Sequence, residues 1–194
     1  RVANEGCTVY TSAIMSGIYY SVSKGANVIS LSLGGLEQPN SGYQIVSKAI
    51  DYAVANNVVV VAAAGNSGSG MGTVTQPASS LNAITVGNSD SSATPGISSS
   101  SSRGVLANGV IKPDVVAPGI SIYSLSLNNG YATKSGTSMA APQVSGLAAL
   151  LMQQNSFLTP LQVKQKIQMS AHDAGVLEVI QGSGRINVLN ALNQ

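Results

Sequence analysis

The chain has little of what most function classes need. Among its 194 residues there is one histidine, one cysteine and no tryptophan, and Asp, Glu, Lys and Arg together make up 8%. A lone Cys7 forms no internal disulfide, and its expected role is that of a small buried apolar side chain. Charged residues usually form about a quarter of a soluble domain, so Ser, Asn, Gln and Thr must cover this surface. The net charge is only +2 and the basic residues are scattered, which excludes the electrostatic footprint of a nucleic-acid or anionic-membrane partner. The longest apolar run, Val58 to Ala64, is far shorter than the ~20 residues that cross a bilayer. The opening stretch "RVANEGCTVY" has no charged leader followed by an apolar segment, so no signal peptide is expected there.

What is present is an alternation of helix and strand. Ile14, Ile18 and Val22 recur every fourth residue and predict a helix over Val9 to Lys24. "NVISLSL", Asn27 to Leu33, reads as a short buried strand stopped by Gly34 and Gly35. Ile45, Ala49 and Ala53, flanked by Val46, Ile50 and Val54, predict a second helix ending near Asn56 and Asn57. "VVVVAAAG" follows, β-branched and apolar on both faces, as a central parallel strand is. Further strands are expected in "NAITVG", "KPDVVAPG" and "ISIYSL", then a long helix after Ser138 through about Gln154. A capped helix opens at Thr159 and Pro160, with proline in the first turn, and a last short one lies over Asn187 to Leu192. The tract Ser98 to Ser102 has the composition of a flexible linker. It sits between strand signals with no composition shift, so residues 1–194 are read as one domain. The alternation implies an α/β fold, a mostly parallel sheet with helices on both faces and a ligand site beyond the carboxyl ends of the strands.

Three loops stand at such ends. In "SLGG", Ser32 to Gly35, paired glycines leave the main chain open to a second backbone. "AAAGNSG", Ala62 to Gly68, closes a buried strand with Asn66, whose amide can donate a hydrogen bond. "SGTSMAAP", Ser135 to Pro142, puts Ser138 at a helix start, where unpaired N–H groups favour negative charge. An oxyanion formed by attack of Ser138 on a carbonyl would be held between the Asn66 side chain and the Ser138 N–H. Singly, each loop is ordinary: a glycine turn, an asparagine at a strand end, a serine cap.

In this order, "SLSLGG", "AAAGNSG" and "GTSMAAP", with "PASSLNAITVG", "SSRG", "KPDVVAPG" and "GSGRINVLNAL" between and after them, resemble the subtilisin-like serine proteases, the subtilases, over nearly the whole chain. The resemblance implies a subtilisin-like three-layer fold, with Ser138 as nucleophile and Asn66 as oxyanion donor. It implies that Ser32, Leu33, Gly34 and Gly35 pair with an extended substrate as an added strand. Ala63, Ala64 and Gly65 would wall the pocket for the side chain preceding the cut, and Thr75 would lie at its base. Gln143, where many relatives carry histidine, is read as a packing residue.

A serine nucleophile needs a base, and subtilases take theirs from Asp and His motifs that precede the serine in chain order. Neither motif is in this sequence. Its only histidine, His172 in "MSAHDAG", falls in a segment resembling a surface turn, and adjacent residues such as His172 and Asp173 point apart. The expectation is therefore the C-terminal portion of a subtilase catalytic domain, its Asp and His carried by an N-terminal segment of the same protease, the partner without which it is inactive. In subtilisin itself, loss of the serine or histidine costs on the order of a millionfold in turnover. The competing reading is a non-catalytic peptide-binding pseudoenzyme. A nucleotide-binding domain is disfavoured because no Gly-rich phosphate loop occurs. No cofactor is expected for catalysis. Family habit implies secretion and leaves structural calcium open, held mostly by backbone oxygens, since four Asp and three Glu form no ligand-like cluster.

Overall fold

A computed structural model describes residues 2, 3, 8–35, 45–127 and 129–194. Cys7 lies outside the described residues. The chain begins with α1 (Thr11–Ser23), β1 (Val28–Leu31), α2 (Ile45–Ala55) and β2 (Val59–Ala63), then β3 (Ile84–Ser89), β4 (Gly104–Val105), β5 (Ile111–Lys112) and β6 (Val115–Pro118). A hairpin of β7 (Ile122–Ser126) and β8 (Gly130–Lys134) follows, then α3 (Thr137–Gln154), α4 (Pro160–Met169), α5 (Glu178–Gln181) and α6 (Val188–Leu192).

The main sheet has the order β1-β2-β3-β6, all parallel. Every residue of β2 is buried, as its unbroken β-branched run predicts. Val59, Val61 and Ala63 turn to one face, where Val144, Leu147 and Leu151 of α3 and Val163 and Ile167 of α4 pack. Val60 and Ala62 turn to the other, against Ile18 of α1 and Val46, Ala49, Ile50 and Ala53 of α2. The period-two alternation of the strand thus divides the core into two layers about one sheet. Each fully buried Val, Ile or Leu contributes about 1.5–3 kcal/mol through removal from water.

The expected elements are found with shifted ends. α1 carries the Ile14, Ile18 and Val22 stripe. Thr159 caps α4 as foreseen: its hydroxyl accepts from the Gln162 N–H at 3.3 Å, and Gln162 Oε1 accepts from the Thr159 N–H at 2.9 Å. The strand expected over Asn27 to Leu33 ends at Leu31, because Ser32 and Leu33 leave the sheet for the cleft described below. "ISIYSL" forms β7, paired antiparallel to β8 and off the main sheet. The hairpin strands β4, β5 and β8 are too short or too polar for periodicity to reveal.

The serine tract is not a linker. Ser101 and Ser102 are fully buried, and the Arg103 guanidinium donates to the carbonyls of Ser101 at 3.0 Å and Ser98 at 2.6 Å.

One ionic cluster is buried behind the sheet. Asp114 Oδ2 pairs with Lys112 at 2.7 Å and Oδ1 with Lys164 at 2.9 Å, and Oδ2 also accepts from the Thr85 N–H at 2.7 Å. Lys112 is fully buried and donates to the Ala83 carbonyl at 3.1 Å. Burial alone would raise the Asp114 carboxyl, but the two ammonium groups and the Thr85 amide outweigh it and hold it below the usual carboxylate range. Burial pushes Lys112 down to about 8 against the opposing pull of Asp114.

A carboxyl lowered in the folded state contributes stability that is present above its unfolded value, about 4, and is lost as pH falls through the lower folded value. Asp114→Asn leaves the buried Lys112 ammonium and the partly buried Lys164 ammonium without their carboxylate and is expected to cost about 3–5 kcal/mol at pH 7. Lys112→Met leaves Asp114 its Lys164 partner and should cost distinctly less. Urea unfolding of both variants at pH 7 checks the order. Repeating it below pH 4 should show the gap between Asp114→Asn and the parent chain closing.

Candidate active site

β1 and β2 run parallel, so their carboxyl ends deliver Ser32–Gly35 and Gly65–Ser67 to the same edge of the sheet. The N-terminus of α3 meets them there. Ser32, Leu33, Gly34, Gly35, Ala63, Gly65, Asn66, Ser67, Thr75, Thr137 and Ser138 line one cleft of about 310 Å³. Nine of the ten residues singled out from sequence converge on it. The tenth, Ala64, lies between two lining residues and is itself fully buried.

Ser138 is the second residue of α3 and half-buried. Its N–H is one of the donors a helix start leaves without an intrahelical acceptor, and no described group accepts from it. Its carbonyl is also free of an intrahelical partner, because Pro142 four residues on has no N–H to give. The Ser32 hydroxyl donates to that carbonyl at 3.1 Å. A proline inside a helix thereby opens an acceptor that ties the loop after β1 to the serine.

Asn66 is oriented by the residue before the serine. Its Oδ1 accepts from the Thr137 N–H at 3.0 Å and from the Thr137 hydroxyl at 3.2 Å. A backbone N–H cannot accept, so the oxygen end of the amide must face Thr137, and Nδ2 remains as the free donor. Thr137 is fully buried, and its hydroxyl in turn accepts from the Gly65 N–H at 3.3 Å. The serine tract supports the same loop from behind: the Ser102 hydroxyl accepts from the Ser67 N–H at 3.1 Å, and the Ser102 N–H donates to the Gly65 carbonyl at 3.0 Å. Gly65 has φ +111°, and a Cβ there would stand 2.8 Å from Ser102 Oγ, so only glycine meets both the conformation and the space. At Gly34 a Cβ would stand 3.0 Å from both the Gln76 carbonyl and Thr75 Oγ1.

Among the described residues, none lining this cleft carries a titratable side chain. His172 is elsewhere. Its backbone exchanges hydrogen bonds with Arg185, at 2.7 and 2.8 Å, and it lines a separate cleft with Arg185 and Leu189. Asp114, the most buried acid among the described residues, is committed to its two lysines. Gln143 is half-buried, its amide donating to the Pro118 carbonyl at 2.5 Å, and it lines a further cleft on the other side of Ser138 with Met139 and Pro142. The described residues contain no group of three or more His, Cys, Asp or Glu able to hold a metal ion. They do not fit a calcium cage built from side chains.

Thr137 and Ser102 were not singled out from sequence. Thr137 sits inside the quoted serine motif, but its role is visible only once α3 is placed against the loop after β2.

A parallel α/β sheet with its cleft at the strand ends, a serine in the first turn of a long helix and a tethered asparagine opposite form the architecture of one known class. A family model described as "Subtilase family" matches residues 1–184. The chain belongs to the subtilase family. It is 39% identical to Subtilisin DY from Bacillus licheniformis over 190 residues, 97% of this chain and 65% of that protein. Among solved structures, Sphericase superposes with a TM-score of 0.78 at 34% identity, over 88% of this chain and 58% of the other. The S41 Psychrophilic Protease does so with a TM-score of 0.85 at 29% identity, over 96% and 67%. The chain thus spans about two thirds or less of the length of these relatives.

Replacing Thr137 by the isosteric valine leaves the part-buried Gly65 N–H without its acceptor and removes one of the two donors to Asn66 Oδ1. The expected cost is about 1–3 kcal/mol, read as a lower urea midpoint with an unchanged slope.

Proposed function

We propose that this chain is the nucleophile-bearing portion of a secreted serine endopeptidase that cuts extended peptides. Ser138 Oγ attacks the scissile carbonyl. The Asn66 Nδ2 and the Ser138 N–H receive the oxyanion, and the N-terminus of α3 adds its positive end. Ser32 to Gly35 offer the edge along which the substrate backbone lies, and Ala63, Gly65 and Thr75 surround the side chain preceding the cut. The observation that carries this reading is the tethering of Asn66 Oδ1 by Thr137, which leaves the other end of the amide as a donor at the cleft that Ser138 lines.

The general base is carried by covalent material other than these residues. Support comes from the count of one histidine and from its place in a different cleft. The Asp and His of a complementing segment of the same protease complete the triad: the histidine takes the Ser138 proton and returns it to the leaving amine, and the aspartate holds the imidazole in the correct tautomer. The open edge of β1, which pairs only with β2 among the described strands, offers unpaired backbone groups beside Ser32 for such a segment. The pseudoenzyme reading keeps the cleft and omits the base, and the same experiment separates the two.

Co-folding the chain with the Asp- and His-bearing segment of a close relative should restore peptide hydrolysis and covalent labelling by a fluorophosphonate, both abolished by Ser138→Ala. In that complex Asn66→Ala should lower kcat on the order of 10²–10³-fold with little change in KM, the scale known for loss of one oxyanion donor in subtilisin. A complex that binds peptide but neither turns over nor labels would establish the pseudoenzyme instead.

A further inference from the structure

Outside the Ser138 cleft, the ionic cluster behind the sheet has a geometry that charge pairing alone does not explain. The Lys164 ammonium, carried by α4, stands among three oxygens: the Leu81 carbonyl at 3.0 Å, the Ala83 carbonyl at 3.0 Å and Asp114 Oδ1 at 2.9 Å. An ammonium has three N–H donors, and each has an acceptor here. Next to it the Lys112 ammonium holds Asp114 Oδ2 at 2.7 Å and shares the Ala83 carbonyl at 3.1 Å. One carboxylate thus faces two cations, and the remaining contacts are neutral main-chain oxygens. Lys112 is fully buried, whereas Lys164 keeps 12% of its side chain exposed, so the outer position of the cluster reaches solvent.

We propose that the Leu81 and Ala83 carbonyls and the Asp114 carboxylate form a cation-binding cage, filled by the tethered ammonium of Lys164 and backed by that of Lys112. Carbonyl and carboxylate oxygens gathered on one point are the set that holds hard cations such as sodium and calcium. The two lysines do the structural work of such an ion with the chain's own charge. Bound from solution, an ion would join the segment before β3 to the residue before β6. The Lys164 stem carries the same link on to α4. An ion in exchange with solvent ceases to stabilise the fold once its concentration falls below Kd, and a covalently attached ammonium does not. The lysines thus make this part of the fold independent of metal supply. The inference does not depend on the peptide-cleft reading.

The test is thermal unfolding of the full chain and two variants. Lys164→Ala empties the outer position and keeps the pair of Lys112 and Asp114, so it should fold with a lower Tm than the parent. Ammonium chloride should then raise its Tm by about 3–5 °C for each tenfold increase above the Kd of the emptied cage, beyond any change in the parent. Tetramethylammonium chloride at equal ionic strength, which carries the charge without an N–H donor, should give no such rise. In Lys112→Met/Lys164→Ala the cage keeps its carboxylate and loses both ammonium groups. Calcium chloride should raise the Tm of this double variant by the same increment per tenfold, again beyond the parent, and adding Asp114→Asn should abolish the response. An equal response of Lys164→Ala to the two ammonium salts overturns the inference. So does a folded double variant whose Tm follows calcium no more than the parent's does. If the double variant does not fold, the comparison of the two salts on Lys164→Ala decides alone.

Discussion

The site depends on one hydrogen bond that joins residues 71 apart in sequence: the Thr137 N–H donating to Asn66 Oδ1. A free asparagine amide is ambiguous, since either end can face a partner. A backbone donor at the start of α3 removes the ambiguity, and the Thr137 hydroxyl repeats the instruction. Nδ2 is then left as a donor on the cleft, in the place where a developing negative charge would need one. The orientation requires no charged residue, which suits a chain whose charged fraction is 8%.

Everything around that bond acts to keep α3 and the loop after β2 in register. α3 lies across the sheet, with Val144, Leu147 and Leu151 packed on Val59, Val61, Ile84 and Val86, so its first turn is placed by the core rather than by the loop. Gly65 admits the close approach of Ser102, and the serine tract, locked by Arg103, returns hydrogen bonds to both sides of Asn66. The Ser32 hydroxyl ties in the third loop through the carbonyl that Pro142 leaves open. Ser138, Asn66 and the Ser32 to Gly35 segment are thus parts of one polar lattice resting on an apolar scaffold. In the reaction proposed above such a lattice would place a tetrahedral intermediate without supplying any force to remove a proton, since stabilisation of the anion and activation of the nucleophile are separable functions.

The parallel sheet was legible because β2 is apolar on both faces, and α4 because Thr159, Pro160 and Gln162 carry their own capping chemistry. The three cleft loops were legible as an ordered set of motifs, although no one of them was informative alone. Ala64 is the one residue singled out there that lies fully buried beside the cleft rather than lining it, because a motif read as a string does not say which way each side chain turns. The serine tract was illegible because composition registers polarity and not partners: Ser101 and Ser102 are buried by hydrogen bonds that exist only when Arg103 and the Asn66 loop are in place. Thr137 escaped notice for the same reason: its importance comes from contacts with the Gly65 and Asn66 loop, a segment far away in sequence.

The most direct test is a high-resolution crystal structure of the chain with a cleaved peptide bound through its new carboxylate, a complex that needs no general base. The account predicts one carboxylate oxygen within about 2.7–3.1 Å of both Asn66 Nδ2 and the Ser138 N–H, with Asn66 Oδ1 still on Thr137 and the peptide backbone along Ser32 to Gly35. An Asn66 turned to present its oxygen to the ligand, or a carboxylate seated away from Ser138, would contradict it.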